Sequence, residues 1–173
     1  MREELRKIVE SIEDMLRANQ WSIATAESCT GGNIAAALTA IPGSSACVKG
    51  GVVAYSEEIK MRLLGVSAQT LQTFGVVSEP TVEEMAKGAM KSMVSDFAVA
   101  TSGVAGPSGG TVETPVGTIW VAVASRSQMA THCIRLYNKG RDENVQNAVL
   151  VALEMVQKVV ENEENQVKKQ INS

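Results

Sequence analysis

A serine, a cysteine and two glycines fall within one six-residue segment, Glu27-Ser28-Cys29-Thr30-Gly31-Gly32. It lies between a short, partly β-branched run at 21–26 (WSIATA) and an Ala-rich, helix-favouring run at 33–39 (NIAAALT), which Pro42-Gly43 brings to a stop. A turn from strand to helix exposes a nucleophile and aims backbone N–H groups at a developing oxyanion or a bound phosphate. Glycine at 31 and 32 lets a substrate approach the main chain. The same pattern also serves if Ser28 or Thr30 does no more than N-cap the helix.

Other groups suit a partner to such a nucleophile. Lys60 follows Tyr55 on the segment after Gly50-Gly51; a lysine whose pKa is depressed by burial can act as base to a serine, and a tyrosine hydroxyl can relay the proton or hold substrate. Most lysines at such positions are simply solvated. The stretch 102–118 (SGVAGPSGGTVETPVGT) has neither helical nor strand periodicity, and loops of that length are functional sites or flexible hairpin tips. It lacks the Gly-Lys-Ser/Thr ending of a phosphate-cradling loop, so triphosphate hydrolysis is not indicated. Arg141, in Lys139-Gly140-Arg141-Asp142, precedes the last helix, where a cation opposes the helix dipole unless an anion docks beside it; a surface arginine is the bland alternative. His132, the sole histidine, sits in an expected strand and is taken as structural, which disfavours a Ser-His-Asp triad or a multi-histidine zinc site.

The elements that must position these groups are legible in the periodicity. Leu5, Ile8, Val9, Ile12, Met15 and Leu16 mark an amphipathic helix over 2–19. Residues 47–55 (CVKGGVVAY) read as a strand broken by Gly50-Gly51, where glycine marks a bulge or the close approach of a ligand or second backbone, and 57–64 as a short helix ended by Gly65. Thr81 with Glu84 reads as a capping box ahead of a stripe formed by Val82, Met85, Ala86, Ala89, Met90 and Met93. Residues 97–101, 117–124 and 131–137 are expected strands, and Val145 to Val160 a long final helix. The order predicts an α/β fold, a three-layer α/β/α sandwich with a mixed sheet. One domain over 1–163 is expected, with a polar tail at 164–173 that frays.

Composition narrows the function classes. At 173 residues, 45% hydrophobic and 20% charged, the chain has the make-up of a soluble domain large enough to bury a core. Aromatics are only 3%, the net charge is −3, and no basic cluster is present, so neither a base-stacking surface nor a duplex footprint is offered and nucleic acid is not an expected partner. Residues 1–20 alternate charge with apolar residues, unlike a secretory leader, and no run is apolar and long enough to span a bilayer, so a cytoplasmic protein without a membrane partner is expected. Cys29, Cys47 and Cys133 are odd in number and widely spaced, which reads as free thiols. With no acidic or histidine cluster of ligand spacing, a metal-free and cofactor-free mechanism is expected.

Taken together, the motifs resemble a known family. TAESCTGG at 25–32, Gly51-Val52-Val53-Ala54-Tyr55-Ser56 with Lys60, Gly75-Val76-Val77-Ser78-Glu79-Pro80, Ser102-Gly103-Val104-Ala105-Gly106-Pro107 and Pro115-Val116-Gly117-Thr118 resemble the CinA C-terminal domain in order and spacing, over about residues 5–160. The pairing of TAESCTGG with SGxAGP is far more specific than any glycine motif alone. The resemblance implies a homo-oligomeric α/β/α protein and a nicotinamide-nucleotide amidohydrolase activity, which converts nicotinamide mononucleotide to nicotinic acid mononucleotide and ammonia in pyridine-nucleotide recycling. It implies Ser28 as nucleophile, Lys60 as general base and Tyr55 beside them, with Ser102, Gly103, Ala105, Gly106 and Arg141 near the nucleotide. N–H groups of Thr30, Gly31 and Gly32 would then hold the oxyanion, Gly51 would lie against the ligand, and Cys29 is the rival nucleophile, since a helix N-terminus can lower a thiol pKa. The family often carries Gly-Asp-Arg before the last helix, where this chain reads Lys139-Gly140-Arg141. Longer members add an N-terminal nucleotide-processing domain; this sequence reads as a stand-alone domain. Two other readings remain: a ligand- or partner-binding domain of this fold without turnover, and an amidase for another nucleotide-like carboxamide.

Overall fold

A computed structural model describes residues 2–136 and 139–171. Helix α1 (Glu3–Ala18) leads into strand β1 (Ile23–Glu27) and a short helix α2 (Asn33–Leu38). After a 3-10 turn at Ser44–Ala46 come β2 (Val48–Val53), α3 (Glu57–Leu64), α4 (Ala68–Phe74) and α5 (Glu79–Met93). Strands β3 (Phe97–Gly103), β4 (Thr118–Ala124) and β5 (Met129–Arg135) follow in a run, and α6 (Arg141–Ile171) ends the described chain.

The five strands form one sheet in the order β2-β1-β3-β4-β5. β2, β1 and β3 are parallel, and β4 and β5 continue the sheet antiparallel. Side chains alternate across this sheet, so each strand feeds two cores. On one face Ile23, Val99, Ile119, Val121 and Val123 pack against α1, α2 and α6; on the other Ala24, Ala26, Ala98, Ala100 and Ala122 pack against α3, α4 and α5. Alanine dominates the second face, which lets α5 lie close to the strands. The result is the expected α/β/α sandwich with a mixed sheet.

Three local expectations are corrected. Helix α5 begins at Glu79 with Ser78 as its N-cap, the Ser78 hydroxyl accepting from the Thr81 N–H, so Thr81 and Glu84 make no capping box. The Thr81 hydroxyl donates to the Gly75 carbonyl, and the Glu84 carboxylate accepts from the Ser67 N–H and the Thr70 hydroxyl, tying α4 to α5. α4 itself lacked any periodic signal; Ser67 caps it through the Thr70 N–H, and tertiary contact completes it. The final helix continues to Ile171 through the segment expected to fray, because the Glu164 carboxylate accepts from Asn19 and Lys168. β5 is shifted two residues towards the N-terminus of the span expected, whose last residue, Tyr137, lies outside the described residues.

No helix among the described residues is long and apolar enough to cross a membrane.

Candidate active site

β1 ends where the chain turns out of the sheet, and the turn is built around Glu27. This fully buried carboxylate accepts from the N–H groups of Gly32 (3.0 Å), Ile34 (3.0 Å) and Ala35 (2.8 Å), closing the N-terminus of α2 from inside the protein. Gly31 (φ +61°) and Gly32 (φ +94°) take left-handed conformations that allow so tight a path. Ser28, the residue after Glu27, is thereby held at the carboxyl end of β1, its N–H donating to the Thr101 carbonyl at 3.0 Å.

Lys60 reaches the same point from α3. Ser56 caps that helix by accepting from the Ile59 N–H, and Gly65 ends it in a left-handed conformation. The amine of Lys60 lies 2.9 Å from Ser28 Oγ and donates to the Ala54 carbonyl at 2.7 Å. Lys60 is only 2% exposed, and this burial holds its pKa below the ordinary lysine value, against an opposing pull from the Glu57 carboxylate. An amine lowered in this way can be neutral, holding Ala54 with one N–H while its lone pair faces the Ser28 hydroxyl. Cys29 is in a different position: burial pushes its thiol up to about 12, so no thiolate is available near neutrality.

The dyad opens into a cavity of about 370 Å³, within the range of small-ligand sites. Ser102, Gly103 and Ala105 form one side and Val76 and Val77 another, with Tyr55 and Arg141 at the mouth. The Ser102 hydroxyl donates to the Val76 carbonyl at 2.6 Å, and Ser78 donates to Gly75 at 2.9 Å, so the apolar wall is pinned at both ends. Asn144, fully buried on α6, donates to the Ala105 carbonyl. Arg141 spans the mouth, one guanidinium nitrogen on the Gly106 carbonyl (2.9 Å) and another on the Tyr55 hydroxyl (2.7 Å). Larger hollows of about 660 Å³ beside the β4–β5 turn and about 500 Å³ between α1, α2 and α6 include neither Ser28 nor Lys60.

Of the residues expected from sequence, Ser28, Lys60, Tyr55, Ser102, Gly103, Ala105 and Arg141 line this cavity. Tyr55 is 60% exposed and bonded to Arg141, so it stands at the rim, while Ser28 and Lys60 meet directly. Gly106 contributes through its carbonyl's hold on Arg141. Gly51 does not line the cavity: a Cβ there would meet Thr25 Oγ1 at 2.1 Å, so the glycine serves the close pairing of β1 with β2. Two of the expected donors of the nucleophile turn are engaged elsewhere, Gly31 N–H on the Ser28 carbonyl and Gly32 N–H on Glu27; Thr30 is buried, with its hydroxyl bonded to that of Thr101. His132 is exposed on β5 and takes no part. Sequence reasoning passed over Glu57, Val76 and Val77 as site residues. Only the GVVSEP motif marked that wall, and nothing in its spacing said that it would face Ser28.

The sequence profile described as CinA C-terminal domain matches residues 5–160. A Shewanella oneidensis protein named nicotinamide-nucleotide amidohydrolase PncC is 46% identical over 156 residues, covering 90% of this chain and 37% of its own length. A CinA-like protein from Shewanella sp. strain ANA-3 matches with the same identity and coverage. The chain thus spans little more than a third of the length of these curated relatives. Among solved structures, competence/damage inducible protein CihA from Agrobacterium tumefaciens superposes with a TM-score of 0.88 at 41% identity, covering 90% of this chain and 95% of that one. A CinA superfamily protein from Klebsiella pneumoniae does so at 0.86 and 38%, covering 91% and 98%.

Proposed function

The chain belongs to the CinA C-terminal domain family, and on that premise we propose that it hydrolyses the carboxamide of nicotinamide mononucleotide to nicotinic acid mononucleotide and ammonia. The observation that carries this reading is the buried Lys60 amine, 2.9 Å from the Ser28 hydroxyl at the floor of a ligand-sized cavity. Nucleophile and base within hydrogen-bond reach are the arrangement that serine-based acyl transfer requires. The name of the Shewanella oneidensis relative supports the choice of substrate.

In the first step neutral Lys60 takes the proton of Ser28 as Ser28 Oγ bonds to the carboxamide carbon. The proton then passes from Lys60 to the departing nitrogen, the C–N bond breaks and ammonia leaves an acyl-serine. Water, deprotonated by the same amine, hydrolyses that ester and restores both residues. Val76 and Val77 give the pyridine ring an apolar wall, and Arg141 at the mouth offers the charge a phosphate needs. The reaction uses no metal and serves pyridine-nucleotide recycling.

The deciding experiment is ammonia release from nicotinamide mononucleotide by the purified protein, with EDTA present and with free nicotinamide and NAD as parallel substrates. Turnover of the mononucleotide, unaffected by EDTA, is expected. Ser28→Ala should lower kcat by about 10³-fold or more, whereas Cys29→Ala should retain most of it. Full turnover in Ser28→Ala would sink the serine mechanism, and folded wild-type protein that releases no ammonia would leave a binding domain as the reading.

A further inference from the structure

The engagement of Gly31 and Gly32 leaves open which groups stabilise the oxygen of a tetrahedral adduct on Ser28. The ladder around β3 supplies an answer. In the antiparallel pairing with β4, Gly103 stands opposite Ile119, and the next residue, Val104, donates its N–H to the Thr118 carbonyl. Residues opposite one another alternate between bonded and non-bonded pairs, so Gly103 is a non-bonded pair and its own N–H points the other way, towards β1. The parallel ladder on that side agrees: the Phe97 N–H donates to the Ser22 carbonyl, and the Thr101 carbonyl accepts from the Ser28 N–H. One rung further, the Gly103 N–H would reach the Ser28 carbonyl if β1 continued. β1 stops, the paired register ends at Glu27 with Thr101, and the Ser28 carbonyl accepts from Gly31. The Gly103 N–H is therefore the first rung beyond the ladder, aimed at the place where the chain turns away to present Ser28, and Gly103 lines the same cavity.

Glycine is needed there for packing as well. A Cβ at 103 would stand 2.6 Å from both the Ile119 Cα and the Thr118 carbonyl oxygen, so only glycine lets β3 and β4 close this tightly at the mouth of the site.

We propose that the backbone N–H of Gly103 is an oxyanion donor of this site, a role that rests on the amidohydrolase reading given above. As Ser28 Oγ bonds to the carboxamide carbon, the C=O π pair moves onto oxygen, and that oxygen meets the Gly103 N–H. When the C–N bond breaks and nitrogen leaves with the proton carried by Lys60, the pair returns to re-form the carbonyl of the acyl-serine. The donor is fixed by the sheet before substrate arrives, so it needs no reorganisation at the moment of reaction. Among the side-chain donors that line the cavity, the Ser102 hydroxyl is engaged on the Val76 carbonyl and Arg141 on Gly106 and Tyr55 at the mouth.

A side-chain substitution at 103 would clash before it tested the idea, so the backbone atom itself must be changed. Replacing Gly103 by glycolic acid exchanges the N–H for an ester oxygen, and its kinetics on nicotinamide mononucleotide are compared with wild type and Ser28→Ala. The expected result is a kcat lower by about 10²–10³-fold with KM little altered, while Ser28→Ala is inactive. An ester variant with wild-type kcat, or one in which KM alone rises, overturns the proposal while the inactive Ser28→Ala leaves the serine reading standing. Full activity in Ser28→Ala removes the reading and the proposal together. If the ester variant does not fold, the unaltered protein soaked with pyridine-3-boronic acid decides the point. A boronate oxygen on Gly103 N supports the role, and one held by the N–H of Cys29 or Thr30 instead overturns it, as does a boronate that does not bond to Ser28.

Discussion

Lys60 is placed where a lysine is costly, and both its reactivity and its effect on stability follow from that. Burial disfavours the ammonium, so the folded pKa lies below the unfolded one. The folded state then binds fewer protons than the unfolded state over the interval between the two values, and stability rises with pH across it. The cost is absent above the ordinary lysine pKa of about 10.4, grows as the pH falls from there to the folded pKa, and is constant below. Lys60→Met should therefore be inactive yet more stable than wild type near neutral pH, with the gain shrinking above pH ~10; denaturant titrations at several pH values measure it. A destabilised or pH-independent variant would mean that the amine is not held neutral. The same logic predicts that kcat/KM rises with pH as Lys60 loses its proton, and that Glu57→Gln moves the midpoint down, since the Glu57 carboxylate favours the charged amine.

At the scale of elements, the distance between Ser28 and Lys60 is a distance between β1 and α3, and α3 is set by its crossing with α5. Gly88 on α5 stands under the end of α3: a Cβ there would meet the Leu64 carbonyl oxygen at 1.8 Å. No rotamer change relieves a clash with backbone, so Gly88→Ala must push α3 outward. A loss of about 1–3 kcal/mol is expected, and because Lys60 moves with its helix, kcat should fall more than KM changes. Thermal melts and steady-state kinetics on one preparation separate the two effects; unchanged kcat in a destabilised protein would show that α3 tolerates the shift. The glycines here divide by physical duty. Gly31 and Gly32 give the nucleophile turn its handedness, while Gly51 and Gly88 allow two backbones to approach. Sequence marks all of them as glycine and cannot say which duty each performs, because the neighbours Thr25 and Leu64 lie far away in the chain.

Across the whole molecule, α6 joins the site to the opposite end of the sheet. Its first residue, Arg141, spans the cavity mouth, and far along it Glu163 accepts from the hydroxyls of Ser125 and Ser127 in the β4–β5 turn. Burial works to raise the Glu163 pKa, but these hydroxyls, with Gln128, hold it below the usual carboxylate range. A lowered folded pKa gives stability that is present above about pH 4.3 and lost as the pH falls through the folded value. Glu163→Gln should cost about 1 kcal/mol at neutral pH, a difference that closes in acid, and should leave KM unchanged because the turn lies at the end of the sheet away from Ser28. What the sequence by itself determined is everything that depends on neighbours in the chain. The α1 and α6 stripes, the strand-turn-helix around Ser28 and the stop of α3 at Gly65 follow from local periodicity, propensity and turn chemistry. The family motifs named Ser28 and Lys60 as a pair. Only the tertiary structure decided which groups remain free to act. Arg141 engages Tyr55, and the Gly103 N–H is left without a rung, each through contacts between residues distant in sequence. A hydrogen-bonding group's availability depends on whether some other part of the fold has already satisfied it, and that is a property of the assembled sheet and helices, which spacing along the chain does not encode.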